Sequence, residues 1–112
     1  MVPASSEPEQ VNGSLLSNII SIMKFFYVYV LQSFKDGLFY IGSTNDLKRR
    51  LKEHQQGKNI STEKRLPLEL IYFEAHRSKK DAERRENYFK TTKGKVTLRQ
   101  LLRSFLSHQQ ID

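Results

Sequence analysis

Residues 25–31 read FFYVYVL, and residues 38–42 read LFYIG after a short polar loop. The first stretch is β-branched and aromatic throughout, and it is apolar at both alternating positions, which is typical of a central strand covered on both faces. Asp36-Gly37, between the two stretches, is a strong turn signal, so the stretches should pair as a hairpin. We expect this hairpin to be the core of a small sheet.

A helix and a third strand are predicted after the hairpin. Residues 44–46 (TND) offer three candidate N-caps for a helix that runs to about Gln56, and Gly57 is suited to end it. Residues 57–67 are then a polar, basic loop. Residues 68–75 (LELIYFEA) have the composition of a third strand.

Two further helices are predicted toward the C-terminus. Residues 78–81 (SKKD) resemble a capping box and should open a helix that runs to about Lys90. A basic connector at 91–95 precedes an amphipathic helix over 96–106. The predicted class is α/β of the α+β kind, a small three-stranded antiparallel sheet flanked by helices in the order β-β-α-β-α-α.

The charge of the chain is unevenly distributed. Residues 1–22 contain two acidic residues and no Lys or Arg, so the remainder carries 19 basic and ten acidic residues, a net charge of +9. We expect 1–22 to be a disordered or weakly helical extension, 23–106 to be the functional domain, and 107–112 to be a C-terminal tail. A basic domain of this size favours nucleic acid as a partner, although a plain basic surface remains the alternative.

Composition excludes several kinds of site. The chain has no cysteine, so disulfides, thiolate zinc sites and cysteine nucleophiles are ruled out. No apolar run approaches the ~20 residues needed to span a bilayer. We therefore expect a cytoplasmic protein that does not enter a membrane.

Two polar residues fall on the apolar face of the first predicted helix. On a wheel of ~100° per residue, Leu47 and Leu51 define the apolar face, and Arg50 and His54 lie on the same face. An arginine that faces a core needs an anion to meet. The alternative is that Arg50 extends along the edge of the helix with its charged group in solvent.

A carboxylate occupies the corresponding place in the next helix. Glu86 lies between Ala82 and Phe89 on the inward face, where an unpaired charge costs several kcal/mol. It should therefore pair with Arg50 in a salt bridge or bind a metal ion. Tyr29 and Tyr40 on the two hairpin strands are, taken singly, ordinary packing residues, and they become candidates only together with Arg50 and Glu86.

Together, these residues resemble the motifs of a known protein family. Tyr27-Val28-Tyr29 and Tyr40-Ile41-Gly42 resemble the paired motif of GIY-YIG nucleases, eleven residues apart. Arg50 matches the arginine of the family's helix, and Glu86 matches its metal-binding glutamate. The resemblance runs from about Met23 to Leu102 and is closest to small single-domain bacterial members related to the excision-repair incision subunit and to structure-specific endonucleases.

Three features depart from the pattern. Tyr27 stands where the name motif has its first glycine, Ser43 stands where the excision-repair subunit has a lysine, and a downstream asparagine used by some members has no match. The resemblance therefore leaves the exact proton-transfer chain open.

The resemblance implies a metal-dependent endonuclease that hydrolyses phosphodiester bonds. Glu86 would bind one divalent ion, Mg²⁺ or Mn²⁺, and Arg50 would stabilise charge on the phosphate. Tyr29 would orient or deprotonate the attacking water, and Tyr40 would support it or contact the phosphate. His54 would contact the same phosphate or relay a proton, with a simply packed histidine as the alternative.

The implied partner is DNA, with RNA left open, and the protein should be a monomer. The resemblance suggests structure- or strand-state-selective cleavage in DNA repair or recombination. Six basic residues of the loop and connector are candidates for backbone contacts: Lys58, Lys64, Arg65, Lys90, Lys93 and Lys95. The alternatives are a non-catalytic nucleic-acid-binding module on the same fold, and a protein-interaction domain that docks through residues 15–22.

Overall fold

A three-stranded antiparallel sheet with five helices makes up the computed structural model, which describes residues 7–111, with side chains described for residues 15–109. A single 3₁₀ turn lies in the long loop at Glu63–Arg65. The strands are β1 (Phe26–Ser33), β2 (Phe39–Thr44) and β3 (Leu68–His76), and the helices are α1 (Glu7–Ile22), α2 (Leu47–Gln55), α3 (Lys79–Phe89), α4 (Thr92–Leu101) and α5 (Arg103–Ile111).

The hairpin stretch forms the centre of the sheet. Strand order is β2-β1-β3, and β1 pairs antiparallel with both neighbours. Tyr29 lies opposite Gly42 on one side and Phe73 on the other. The prediction of a central strand and of an antiparallel α+β sheet is therefore confirmed, and β2 becomes an edge strand of the described sheet.

Alternate residues of β1 belong to two separate apolar clusters, because successive side chains of a strand point to opposite faces of the sheet. The face covered by α2, here called the α2 side, has Tyr29, Leu31 and Leu68 as its buried core. The opposite face, the α3 side, is packed by α3 and α4. Its buried residues are Val28, Val30, Ile41, Ala82, Phe89, Leu98 and Leu102.

The N-terminus of one helix differs from the prediction made from the sequence. Asp46 is the N-cap of α2, and its side chain accepts a hydrogen bond from the backbone nitrogen of Arg49. Ser78 precedes α3 but makes no side-chain capping bond, so the predicted capping box is wrong. Asp81 accepts a hydrogen bond from Arg84 Nη1 at 3.0 Å.

The predicted last helix is two helices. Thr91 caps α4 by accepting from the backbone nitrogen of Gly94 at 3.0 Å, so the expected connector is in fact a cap and a first turn. The helix ends at Leu101, and α5 begins at Arg103. Leu102 and Leu106 both pack in the α3-side cluster, and no Gly or Pro marks the junction in the sequence.

The two ends of the chain contain more helix than the sequence indicated. α1 begins at Glu7, and α5 continues to Ile111, through most of the expected tail. Residues 1–6 of the expected extension and residue 112 lie outside the described residues. Within residues 7–111, no helix is both long and apolar enough to cross a bilayer.

Gly94 gives a test of the α3–α4 junction. A Cβ added at this buried position would overlap the carbonyl oxygen of Tyr88 and lie 2.8 Å from the Cα of Phe89. We expect Gly94→Ala to lower the free energy of unfolding by about 3 kcal/mol or more, since backbone atoms cannot yield as a flexible side chain can. Urea denaturation measures this, with the exposed neighbour Lys93→Ala as control. Equal stability of the two variants would contradict the packing described.

Candidate active site

A close approach between two strands sets the position of Tyr29. A Cβ on Gly42 would lie 2.6 Å from the hydroxyl oxygen and 2.7 Å from the Cζ of Tyr29. Only glycine fits at this position, because real Cβ atoms do not come so near another heavy atom. The bare glycine lets the Tyr29 ring lie across β2, and the residue itself is fully buried.

The Tyr29 hydroxyl begins a buried chain of polar groups on the α2 side. Its oxygen is 3.0 Å from Nε2 of His54, and Nδ1 of His54 is 2.7 Å from Oγ1 of Thr62. All three residues have zero exposed surface. The last turn of α2 supplies the histidine, as the helix wheel predicted, and the following loop supplies the threonine. Both ring nitrogens therefore have protein partners, so His54 has no nitrogen free for a phosphate.

The loop that carries Thr62 is fastened to the hairpin. Ser33 Oγ donates to the carbonyl oxygen of Arg65, and Arg65 Nη2 donates to the carbonyl of Phe39 at 3.3 Å. Arg65 also forms an ion pair with Asp36. These contacts tie Arg65 to the hairpin, so its role is at least partly structural.

Tyr40 covers the same histidine from the solvent side. Its ring centroid is 5.0 Å from that of His54 in an edge-on arrangement, and 6.3 Å from that of Tyr29. Tyr40 is half-buried, whereas Tyr29 is fully buried. The two tyrosines thus differ in position: one is bonded to the imidazole, and the other shields it.

Burial keeps both groups of the Tyr29–His54 pair neutral. Burial raises the pKa of Tyr29 well above its ordinary value, with Tyr40 acting in the same direction and the charge of Arg50 opposing it. Burial also lowers the pKa of His54 below 6.5, and Arg50 adds to that effect. At neutral pH the pair is a phenol beside an uncharged imidazole.

Arg50 has an unmet hydrogen-bond donor. Its Nε is buried and makes no hydrogen bond within residues 7–111, although Glu53 Oε1 is 3.3 Å away as an ion-pair partner. The side chain is 32% exposed, and its charge reaches Tyr29. The alternative of a salt bridge to Glu86 is not what the structure shows. A partly exposed guanidinium beside a cavity is suited to an anionic ligand.

Glu86 lies on the α3 side, held by two neighbours. Ser43 Oγ donates to Oε1 at 2.6 Å, and Lys90 Nζ donates to Oε2 at 2.8 Å. The Glu86 side chain is 18% exposed and that of Lys90 is 52% exposed. The carboxylate is therefore oriented by the edge strand and still reachable from solvent.

A cavity at the C-terminal end of β2 brings the two sides together. Its volume is about 250 Å³. It includes Arg50 from α2 and Ser43 from β2, the residue bonded to Glu86. The full lining is Phe26, Ser43, Thr44, Asn45, Arg50, Lys79, Ala82 and Glu83. The cavity therefore lies where the edge strand β2 meets α2 and α3.

The donor set suits a hard divalent cation. No group of three or more His, Cys, Asp or Glu capable of holding a metal occurs among the described residues. Magnesium is commonly bound through one or two carboxylates, with water and substrate phosphate filling its other positions. The single oriented carboxylate of Glu86 fits that pattern, and it does not fit a closed structural metal site.

The remaining predicted contacts lie mainly at the surface. Lys58, Lys64, Lys93 and Lys95 are exposed, and Lys90 is exposed while paired with Glu86. Sequence reasoning gave no site role to Thr62, Ser43 or Lys79. Thr62 carries no signal in the sequence, because its position depends on the path of the loop. Ser43 was visible only as a departure from the family pattern.

Comparison with known proteins agrees with this geometry. The family model described as the GIY-YIG catalytic domain matches residues 25–100 of the chain. That range contains both hairpin strands, α2, β3, α3 and most of α4. No solved structure matches the chain.

The curated relatives are small bacterial proteins. A UPF0213 protein of Streptococcus agalactiae serotype V is 47% identical over 74 residues, covering 63% of this chain and 83% of the relative. A UPF0213 protein of Streptococcus pneumoniae strain R6 is 46% identical over 68 residues, covering 60% and 68%. The UPF0213 protein YazA of Bacillus subtilis is 45% identical over 67 residues, covering 59% and 65%. None of these names states a function.

The neutral, buried state of His54 predicts a pH dependence of stability. An unfolded histidine has a pKa of about 6.5, whereas the pKa of folded His54 is lower. The unfolded chain therefore binds the proton more readily, so stability is fully present above about pH 6.5 and falls as the pH drops below it. We expect denaturation between pH 7.5 and pH 5.5 to show this loss in the wild type and to show a smaller loss in His54→Gln. His108→Gln, on exposed α5, is the control and should keep the wild-type slope.

Proposed function

This chain belongs to the GIY-YIG catalytic domain family, and from that membership we propose that it is a metal-dependent endonuclease acting on phosphodiester bonds in DNA. The family indicates nuclease activity and a nucleic-acid substrate, and GIY-YIG nucleases generally use a divalent metal ion. The observation that carries the proposal for this chain is the buried Tyr29–His54 pair beside Arg50, whose Nε lacks a hydrogen-bond partner in the described chain.

Tyr29 and His54 are proposed to handle the proton of the attacking water. The raised pKa of Tyr29 disfavours a standing phenolate. We therefore infer that the phenol passes its proton to Nε2 of His54 as its oxygen takes one from water, and that the resulting hydroxide attacks phosphorus. Such a transfer through a bonded pair is general base catalysis, typically worth ~10²–10⁴ in rate.

Arg50 and Tyr40 have supporting parts in this proposal. Arg50 would place its planar guanidinium on the phosphate, where negative charge grows during attack. Tyr40 would keep bulk water away from His54, which its edge-on packing supports. Its half-buried hydroxyl is also placed to contact the phosphate.

Glu86 would hold the single divalent ion, Mg²⁺ or Mn²⁺. When bound, that ion supplies charge stabilisation at the phosphate and its leaving oxygen. Ser43 fixes the rotation of the carboxylate through Oε1, and Lys90 is the cation at Oε2 in the structure. The proposed assignment of these residues rests on the resemblance together with these contacts.

The exposed lysines are proposed to hold the nucleic-acid backbone. Phosphate contacts supply affinity without sequence choice. We therefore propose selection by DNA structure or strand state, in repair or recombination. We further propose that the protein is a monomer and acts in the bacterial cytoplasm, where chromosomal DNA lies, with residues 23–106 as its nuclease domain.

A non-catalytic nucleic-acid-binding module on the same fold is the competing function. The exposed lysines alone would support it. It does not account for a buried phenol–imidazole pair or for a carboxylate oriented by Ser43, since neither is needed to bind a backbone. The nuclease function requires Glu86 for cleavage, whereas a binding module would have no use for Glu86 beyond binding.

Glu86→Gln separates the two functions. The change keeps side-chain volume and removes the charge that would hold the cation. We expect cleavage of labelled single-stranded, nicked and branched DNA with Mg²⁺ or Mn²⁺ to fall by about a hundredfold or more, while DNA binding changes little. Glu69→Gln, on an exposed position of β3, is the control. If the wild type cuts none of these substrates, nor the corresponding RNA, the nuclease proposal fails.

Lys93→Ala and Lys95→Ala test the backbone contacts. Each lysine that touches a phosphate contributes about one unit to the slope of log affinity against log salt concentration. We expect each variant to weaken binding on every sequence alike and to reduce that slope by about one. Lys24→Ala is the charge-matched control outside the predicted contact set. A fall in affinity restricted to one sequence would argue for base readout instead.

A further inference from the structure

We propose that Thr62 is a positioning residue that fixes the tautomer of His54 and supports its protonated form, so that the working unit is Tyr29–His54–Thr62. This inference rests on the proposed function. It assigns a purpose to the loop between α2 and β3, which neither the family resemblance nor the charge pattern explains.

The burial of Thr62 is unlike that of its surroundings. Ser61 and Glu63 on either side are exposed, whereas Thr62 has no exposed surface. Its Oγ1 lies 2.7 Å from Nδ1 of His54, a short distance for a hydrogen bond to nitrogen. A buried hydroxyl needs such a partner, because leaving one unbonded costs ~1–3 kcal/mol.

The loop backbone holds Thr62 without using its hydroxyl. The amide nitrogen donates to the carbonyl of Asn59 at 3.1 Å, and the carbonyl oxygen accepts from the amide of Arg65 at 2.9 Å. Within the described chain, the hydroxyl oxygen bonds to His54 alone. Thr62 is thus fixed by its main chain, and its side chain is free to set the state of the ring.

Only one tautomer of His54 can receive a proton from Tyr29. Nε2 must carry a lone pair toward the phenol, so the ring hydrogen must lie on Nδ1. The Thr62 hydroxyl can donate to Nδ1 or accept from Nδ1–H, and in the tautomer that serves Tyr29 it is the acceptor that Nδ1–H needs. When the phenolic proton reaches Nε2, the imidazolium donates through both nitrogens, to Tyr29 oxygen and to Thr62 oxygen. Each end of the charged ring keeps an acceptor.

A hydroxyl in this place has a different effect from a carboxylate. A buried carboxylate would add its negative charge to the stabilisation of the imidazolium that forms, as the aspartate does in the serine-protease triad. Thr62 supplies an acceptor without charge, and the charged or titratable groups around the ring are Arg50 and Glu53 of α2, with Tyr29 and Tyr40 of the hairpin. His54 therefore starts neutral and becomes charged only as the proton arrives.

Thr62→Val and Thr62→Ser separate this role from packing. Valine keeps the shape and removes the acceptor, and serine keeps the acceptor and removes a methyl group. In ¹⁵N NMR of the imidazole, we expect the wild type to show mainly the Nδ1–H tautomer and Thr62→Val to shift toward Nε2–H with a lower pKa. Cleavage of the labelled DNA panel should fall roughly tenfold to a hundredfold in Thr62→Val and recover to within about threefold in Thr62→Ser. Ser61→Ala is the matched control.

Three outcomes would overturn the inference. The first is a wild-type His54 that is mainly Nε2–H, which is decisive even if Thr62→Val does not fold. The second is an unchanged tautomer and rate in Thr62→Val. The third is equal loss of activity in the valine and serine variants, which would indicate packing. If the wild type cleaves nothing, the proposed function fails, while the NMR result still decides whether Thr62 sets the tautomer.

Discussion

The contact between Tyr29 and Gly42 is the constraint on which the rest of the site depends. Because the strand opposite Tyr29 has no side chain at that point, the tyrosine ring can lie across it and place its hydroxyl under α2. The histidine at the end of α2 then meets that hydroxyl, and the loop beyond meets the histidine. A methyl group at position 42 would displace the first member of this series, and the others would lose their partner.

The sheet also divides the site into two halves. The phenol–imidazole pair is buried on the α2 side, and the carboxylate that would hold the cation lies on the α3 side. Strand β2 touches both halves because it is at the edge, and the cavity beside it contains Arg50 and Ser43. The Tyr29–His54 pair, for which we propose proton transfer, is thus shielded from solvent, while Arg50 and Glu86, for which we propose phosphate and cation binding, are partly exposed.

Sequence reasoning predicted those parts of the site that depend on local periodicity. The central strand could be predicted because β1 is apolar on both faces. The inward positions of Arg50, His54 and Glu86 could be predicted from helical spacing. The sequence could not reveal Thr62, because a loop position is fixed by contacts distant in the chain. The junction between α4 and α5 at Leu102 could not be predicted, because no Gly or Pro marks it. The failed capping box shows a similar limit, since the residue types of the motif are present while Ser78 makes no capping hydrogen bond.

The tight junction between α3 and α4 has a consequence for where a strand would be cut. Gly94 is packed so closely on the end of α3 that no side chain fits between the two helices at this point. Glu86 and the lysines of α4 therefore lie on two closely joined helices. If those lysines bind the DNA backbone, the junction sets the distance along the DNA strand between the bound phosphates and the bond that is cut. That distance would not depend on the base sequence between them.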